Sequence, residues 1–217
     1  RPIAPRRLRF ELAERMTADG TVRTPLDDAE VRALCRTLRE AGGEAVAVCL
    51  LHAYANPAHE RRVGAILAEE LPEVAVTLSA DLVPELREYD RASTTLCNVY
   101  VKRLAQRYLG HLGHGLGERG IAGELFVMAS NGGLVDVQAA SAWPVRLVES
   151  GAAAGALAAA HYGRLTGRPN LLSFDMGGTT AKACVIAGGE PLVAPEFEVD
   201  RRYRFKKGSG LPVKVPV

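Results

Sequence analysis

The segment that most limits the fold of this chain is residues 171–186, Leu-Leu-Ser-Phe-Asp-Met-Gly-Gly-Thr-Thr-Ala-Lys-Ala-Cys-Val-Ile. Two apolar runs flank a Gly-Gly pair, and this pattern predicts a strand, a turn without side chains and a second strand. Backbone N–H groups in such a turn can point at phosphate oxygens. Asp175 ends the first strand, where it could hold Mg²⁺ or orient an attacking water molecule. The pattern therefore favours a phosphate-binding hairpin.

The residues that follow the glycines extend this interpretation. Thr179 and Thr180 add hydroxyl donors, and Lys182 adds positive charge unless strand alternation turns it to solvent. The segment lacks the Gly-x-x-x-x-Gly-Lys-Ser/Thr pattern of a P-loop. It also differs from a dinucleotide-binding fold, because a strand and not a helix follows the turn. A plain hairpin with a Gly-Gly turn is the alternative, against which the Asp before the turn and the two Thr after it argue.

The first third of the chain predicts alternating strands and helices. Residues 8–15 alternate apolar and polar, as a half-buried strand does. Asp27 and Glu30 match a capping box ahead of a helix that Gly42 ends, and residues 45–51 form an apolar run of strand length. Asn56-Pro57 starts a second helix, and residues 74–78 form the next strand. This order predicts an α/β layer with a mostly parallel sheet.

The remaining chain is predicted to be mainly helical ahead of the hairpin. An apolar stripe at helical spacing indicates one long helix over residues 90–116. The pattern then predicts a strand at 125–129, a tight turn at 130–133, a helix at 136–142 and a helix at 151–165. Ser150 is the expected cap of the last helix, whose first two turns are almost all Ala and Gly and allow a ligand or backbone to come close.

Composition excludes several classes of function. The 217 residues hold 27 Lys and Arg against 25 Asp and Glu, so a net charge of +2 gives no case for nucleic acid or an anionic membrane as a partner. No apolar stretch is long enough to span a bilayer. The four cysteines are scattered and form no C-x-x-C pair, which predicts reduced thiols in a cytoplasmic protein.

Four stretches together resemble one family. Phe174-Asp-Met-Gly-Gly-Thr-Thr-Ala-Lys-Ala183 is similar to a phosphate motif of the hydantoinase A/oxoprolinase family. Similar stretches occur in the same order as in that family: Arg87-Glu-Tyr-Asp-Arg-Ala-Ser-Thr-Thr-Leu-Cys-Asn-Val-Tyr-Val101, Met128-x-Ser-Asn-Gly-Gly-Leu134 and Glu149-Ser-Gly-x-Ala-Ala-Gly155. The family resembles a branch of the actin, sugar-kinase and chaperone ATPase superfamily. The resemblance thus implies an α/β fold with part of an actin-like, ribonuclease H-like ATPase architecture, in which helices flank mixed sheets.

The resemblance also implies an activity. Members of this family open a cyclic amide, such as a hydantoin or oxoproline, with ATP and Mg²⁺, and related members are acetone or acetophenone carboxylase subunits. A small cyclic amide and a partner subunit of the hydantoinase B type are therefore expected. Asp175 takes the catalytic and Mg²⁺-binding role. The residues expected to bind the cofactor are Gly177, Gly178, Thr179, Thr180, Lys182, Asn131, Gly132, Gly133, Ser150 and Gly151. For the last five, simple turn and helix-cap chemistry is the alternative.

The resemblance implies two regions, the end of the family's N-terminal region at residues 1–89 and the beginning of the hydantoinase A domain at residues 90–217, cut from a longer enzyme. The superfamily clamps its nucleotide with a second Asp-x-Gly-Gly-Thr hairpin and a later Gly-rich stretch, neither of which occurs here. The 217 residues alone are therefore expected to hydrolyse little ATP. Ala152 stands where the family usually has Pro, a change expected to reduce rigidity and not chemistry. A non-catalytic interaction module of the same fold is the alternative from another functional class.

Overall fold

A computed structural model of the chain describes residues 3–178, 180–203 and 206–217. The chain forms two compact units. The first contains the residues up to Leu104 together with Glu198–Lys214, and the second contains Ala105–Phe197 and Val215–Val217. No helix of the described residues is both long and apolar enough to cross a bilayer.

The first unit starts with a short 3-10 helix (Arg6–Leu8), which is followed by a hairpin. Strands β1 (Arg15–Met16) and β2 (Val22–Thr24) pair antiparallel. Of the strand predicted over residues 8–15, only residue 15 lies in β1, so that prediction is wrong for the rest. The backbone there bonds elsewhere, because the N–H of Ala13 donates to the Glu30 carboxylate at 3.0 Å. Glu30 consequently does not complete the predicted capping box.

Two helices and two parallel strands form the core of this unit. Helix α1 (Asp28–Glu40) is capped by Asp27, whose carboxylate accepts the Ala29 N–H at 2.8 Å. The other elements are β3 (Ala45–Val48), α2 (Ala58–Glu70) and β4 (Ala75–Leu78). Strands β3 and β4 pair in parallel, as predicted. Both helices contribute to one buried cluster, made of Val31, Cys35, Val48, Val63, Ile66, Leu67 and Leu71.

A short helix and a long helix follow. Helix α3 (Ser79–Leu82) precedes α4 (Glu88–Glu118), which confirms the predicted long helix. Polar side chains of α4 bond to neighbouring backbone and side chains: the Asn98 amide donates to the Thr77 hydroxyl at 3.0 Å, and the Lys102 ammonium donates to the Val76 carbonyl at 2.7 Å. Burial lowers the pKa of Lys102 below its ordinary value. These bonds fix which face of α4 meets β4.

The second unit contains the predicted hairpin. Strands β5 (Phe126–Met128) and β6 (Leu134–Asp136) pair antiparallel and lead into α5 (Val137–Ala142). Helix α6 (Ser150–Leu165) packs against strands β7 (Leu171–Met176) and β8 (Ala181–Ala187). Strand β9 (Glu190–Pro191) completes a three-stranded antiparallel sheet in which β7 lies at the edge. The segment Glu198–Lys214 belongs to the first unit, and there β10 (Phe197–Val199) pairs with β11 (Leu211–Val213).

The two faces of the β7–β8 hairpin differ. Ile186 faces inward and is buried. The apolar side chains at the alternating positions face outward, and each is at least half exposed: Leu172, Phe174, Met176 and Val185. We call this set the outer face of the hairpin. Strand alternation thus sends one set of residues toward α6 and the other into solvent.

Glu60 connects three elements of the first unit through a fully buried carboxylate. Its Oε1 accepts the Leu50 N–H at 2.7 Å and the Ser79 hydroxyl at 2.6 Å, and its Oε2 accepts the Ala80 N–H at 2.8 Å. Burial raises the pKa of Glu60 above its ordinary value, because desolvation of the charged form outweighs these bonds. The side chain therefore ties α2 to the chain after β3 and to the start of α3.

Replacing Glu60 by Leu should destabilise the fold strongly. The change keeps a large side chain but leaves three donors without an acceptor, so the free energy of unfolding should fall by about 3 kcal/mol or more. Urea denaturation measures this difference. Glu69→Gln on the same helix is the control, because Glu69 is half exposed beside Arg32 and its loss should cost less than about 1 kcal/mol. Equal costs for the two variants would contradict the assignment.

The cost of Glu60→Leu should also depend on pH. The pKa of Glu60 is higher in the folded chain than in the unfolded chain, so between these two values the folded chain binds more protons. The contribution of Glu60 to stability is then complete at the acid end of this interval and decreases as pH rises through it. Urea denaturation of both proteins at several pH values tests the sign, and a cost that grows with pH would show that the folded pKa is lowered instead.

Candidate functional site

The hairpin between β7 and β8 forms as the sequence predicts. Asp175 lies opposite Lys182 and Met176 lies opposite Ala181 in the antiparallel register. The Gly177 N–H donates to the Thr180 carbonyl at 3.0 Å and closes the turn. That N–H is therefore used within the protein and not left for a ligand. Thr179, a predicted phosphate ligand, lies outside the described residues.

The two glycines leave open space at the turn. A Cβ added to Gly177 or Gly178 would meet no heavy atom within 4 Å, and neither residue has the left-handed backbone that disfavours side chains. Neither packing nor backbone strain accounts for glycine at these positions, although an exposed turn also tolerates it. What the two glycines provide is room for another molecule to approach the backbone.

Asp175 presents a carboxylate to solvent at the end of β7. The residue is exposed, and no hydrogen bond or ion pair joins this carboxylate to another described residue. Nucleotide-bound Mg²⁺ keeps several waters and needs only one or two protein carboxylates beside the phosphates. The described residues hold no cluster of three or more His, Cys, Asp or Glu side chains suited to a metal ion. Asp175 thus fits a Mg²⁺ ion that is bound mainly by phosphate and water.

Lys182 points toward helix α6 and not simply into solvent. Its ammonium forms an ion pair with the Glu149 carboxylate, and the two side chains are 37% and 38% exposed. The Oε2 atom of Glu149 is itself buried, and Lys182 is the partner that it contacts. This pair brings together two of the stretches that the sequence analysis singled out, namely the hairpin and the start of α6.

Glu149 has an unusual backbone. Its φ of 69° and ψ of 6° lie in the left-handed region, which side chains other than glycine rarely adopt. Ser150, the predicted helix cap, is instead the first residue of α6, and no side chain caps this helix among the described residues. The prediction of a Ser150 cap is wrong because the residue before the helix lacks the extended backbone of an ordinary cap. Gly151 is exposed, with open space beside it.

The turn at residues 130–133 lies beside the middle of α6 and not beside its first residues. The Asn131 side chain accepts the Gly133 N–H at 3.0 Å, so its oxygen serves the turn itself. Gly132 has a φ of +84°, and a Cβ there would lie 2.9 Å from Leu157 of α6. Leu157 is two helical turns beyond Ser150, or about 10 Å along the axis. Among the described residues, no hydrogen bond joins Asn131, Gly132 or Gly133 to the hairpin.

The longest of the four stretches, residues 87–101, is used internally in the first unit. Arg91 is fully buried and donates to the Leu50 carbonyl at 2.6 Å, while its guanidinium lies 5.8 Å from the centre of the Tyr54 ring. Thr94 and Thr95 donate to helix carbonyls one turn back. These contacts assign this stretch to packing of the first unit.

What sequence reasoning missed is the contact between Glu149 and Lys182, since Glu149 was recognised only as the start of one of the four stretches. Ser150 and Gly151 were predicted as ligands, yet the side chain that reaches the hairpin belongs to the residue before them. The sequence did show an acidic residue, Glu149, at the start of one motif and a basic residue, Lys182, in the next motif. Their separation of 33 positions hid the pairing, because only the packing of α6 on the hairpin brings them together.

These features define a mixed α/β chain whose second unit presents an open hairpin beside the start of a helix. The profile of the hydantoinase/oxoprolinase family matches residues 91–217, and the profile of its N-terminal region matches residues 1–71. The chain belongs to the hydantoinase/oxoprolinase family.

Relatives agree with this assignment. An uncharacterized protein of Methanocaldococcus jannaschii is 38% identical over the whole chain, which covers 32% of that protein. The caprolactamase subunit alpha of Pseudomonas jessenii is 32% identical over 94% of the chain and 29% of the relative. The nucleotide-free structure of acetone carboxylase superposes with a TM-score of 0.87 at 29% identity, over 100% of this chain and 30% of the other. The chain therefore spans about 30% of the length of these relatives.

The position of the hairpin should depend on Gly163 of α6. A Cβ there would lie 2.6 Å from Leu171 of β7 and 2.7 Å from the Arg168 carbonyl, so Gly163→Ala should lower the free energy of unfolding by about 1–3 kcal/mol. Gly155→Ala on the same helix is the control, since its Cβ would meet nothing within 4 Å and should stabilise the helix by up to about 1 kcal/mol. Denaturant unfolding measures both, and a neutral Gly163→Ala would exclude this close contact.

Proposed function

We propose that the chain is the phosphate-binding part of an ATP-dependent enzyme that opens cyclic amides. The observation that carries this proposal is the Asp175 carboxylate, exposed and unpaired among the described residues, beside a Gly-Gly turn with open space around it. The family supports the substrate class, since its name covers hydantoinases and oxoprolinases, and one relative is named a caprolactamase.

Each residue of the hairpin has a separate task in this proposal. Asp175 holds the hydrated Mg²⁺ that accompanies ATP and neutralises phosphate charge. Gly177 and Gly178 allow phosphate oxygens to reach the backbone, and the Thr180 hydroxyl donates to them. Lys182 supplies a positive charge on the neighbouring strand. Thr179 is proposed to contribute a second hydroxyl.

The chemistry explains why such an enzyme would need ATP. A ring amide resists attack by water, because resonance stabilises its carbonyl group. Transfer of a phosphoryl group to the amide oxygen provides a good leaving group and makes the attack feasible. The start of α6, with Ser150 and Gly151, and the turn with Asn131, Gly132 and Gly133 are proposed to line the nucleotide or substrate cleft.

A second candidate is a subunit of a ketone carboxylase, favoured by the similarity to acetone carboxylase. There the phosphoryl group would activate an oxygen for carboxylation. An assay of ADP release by the complete enzyme, with hydantoins, oxoproline and ketones as substrates, separates the two candidates.

For either candidate we propose a cytoplasmic enzyme with a partner subunit of the hydantoinase B type, since several relatives are named as subunits. We also propose a functional boundary near residue 89.

Asp175→Asn should abolish most activity and preserve the fold. The carboxylate makes no bond to a described residue, so stability should change by less than about 0.5 kcal/mol, whereas loss of its charge should lower turnover by about 100-fold or more. Turnover is measured in the enzyme as the cell makes it. Glu190→Gln on strand β9 is the matched control, and full activity in both variants would disprove the role of Asp175.

Gly178→Val distinguishes a phosphate-binding turn from a plain hairpin. The new side chain meets no heavy atom within 4 Å at its Cβ, so the melting temperature should change little. The branched side chain would, however, occupy the space that a phosphate group needs, and ATP affinity should fall by about tenfold or more. Binding is measured by calorimetry. Unchanged affinity together with unchanged stability would favour the plain hairpin.

A further inference from the structure

The ion pair between Lys182 and Glu149 engages the lysine that the proposed function assigns to phosphate. Lys182 lies opposite Asp175 in the register of the hairpin, so their Cα atoms are paired neighbours on the same face. No ion pair joins these two residues, and the Lys182 ammonium contacts the Glu149 carboxylate instead. The cation of the hairpin therefore has an anionic partner from outside the hairpin.

The pair is suited to exchange. Both side chains are more than one-third exposed, although the Glu149 oxygen that contacts the ammonium is itself buried. The Lys182 side chain is therefore partly open to an anion that arrives from solvent. A polyphosphate carries several charges on closely spaced oxygens, so it can replace a single carboxylate as the partner of a lysine. Lysine suits this role, because its flexible stem lets one ammonium group move between two neighbouring anions.

The backbone of Glu149 is a second, independent observation. A left-handed conformation is unfavourable for glutamate, and such strain persists only where the surrounding structure holds it. Here it places a carboxylate against the hairpin at the residue immediately before α6.

Resting on the function proposed above, we propose that Glu149 is a positioning residue that holds Lys182 beside the phosphate turn and releases it to the polyphosphate of the incoming nucleotide. Without nucleotide, the carboxylate neutralises the ammonium and keeps it at the hairpin. With nucleotide, the ammonium moves to a phosphate oxygen. Glu149 thus lowers affinity for polyphosphate while it keeps the lysine in place. No covalent bond changes in this exchange.

The test compares affinities for Mg²⁺-free ATP and inorganic tripolyphosphate, measured by calorimetry on the enzyme as the cell makes it. Lys182→Met should weaken binding of both by about tenfold, because a phosphate contact is lost. Glu149→Gln should tighten binding of both by about threefold or more, because a competing anion is removed. Omitting Mg²⁺ excludes a direct role of the carboxylate in metal binding.

The double variant decides the mechanism. If Glu149 acts through Lys182, Glu149→Gln should have no effect once Lys182 is Met. An equal effect in both backgrounds, or weaker binding by Glu149→Gln alone, would overturn the proposal. Glu149→Gly, which removes the carboxylate and relieves the backbone strain, should tighten binding as Glu149→Gln does, and weaker binding would also contradict exchange.

Failure of this proposal can be told apart from failure of the proposed function. If the wild-type enzyme binds ATP and Asp175→Asn impairs turnover, but both single variants bind ATP like the wild type, only the role of the ion pair is disproved. If the wild-type enzyme binds neither ATP nor tripolyphosphate, with or without Mg²⁺, the proposed function is disproved and this proposal with it.

Discussion

The arrangement of the second unit depends on one close contact, where α6 packs on β7 with a glycine between them. Gly163 leaves no space for a side chain against Leu171, and its carbonyl accepts the Arg168 N–H at 2.8 Å. From this contact, α6 extends back about 21 Å to Glu149, while β7 extends about 17 Å to the turn. The two lengths are similar, so contact at one end of the helix brings Glu149 near the hairpin at the other end.

The polar side chains singled out in the two units differ in their burial. In the first, Glu60 and Asn98 are fully buried and hydrogen-bonded to neighbouring groups, as a stable interior requires. In the second, the Asp175 carboxylate is exposed and makes no bond to a described residue, and the Lys182 side chain is 37% exposed. Polar groups left free in water cost the fold little, and they are the groups that a charged ligand can use. This contrast supports placing the chemistry at the hairpin and assigning residues 87–101 to packing.

Local signals predicted most elements, and tertiary contacts explain the failures. The hairpin was predictable because apolar alternation and a Gly-Gly turn act within 16 residues. The strand expected at residues 8–15 failed, because polar groups there bond to helix side chains, as in the 2.6 Å pair between Glu14 and His59, while Leu8 and Phe10 remain exposed. The Ser150 cap failed because the left-handed backbone of Glu149 is not visible in sequence. The pairing of Glu149 with Lys182 required knowledge of how α6 packs.

Strand β7 has a second property that follows from its place in the sheet. It lies at the edge, so one row of its N–H and C=O groups faces no partner strand in this sheet, and the outer face of the hairpin adds exposed Leu172, Phe174 and Met176. An open edge beside exposed apolar side chains is a template on which another β-strand can add. The strand that carries Asp175 to its turn is therefore also an open edge for pairing with another strand, and the turn and this edge belong to the same hairpin.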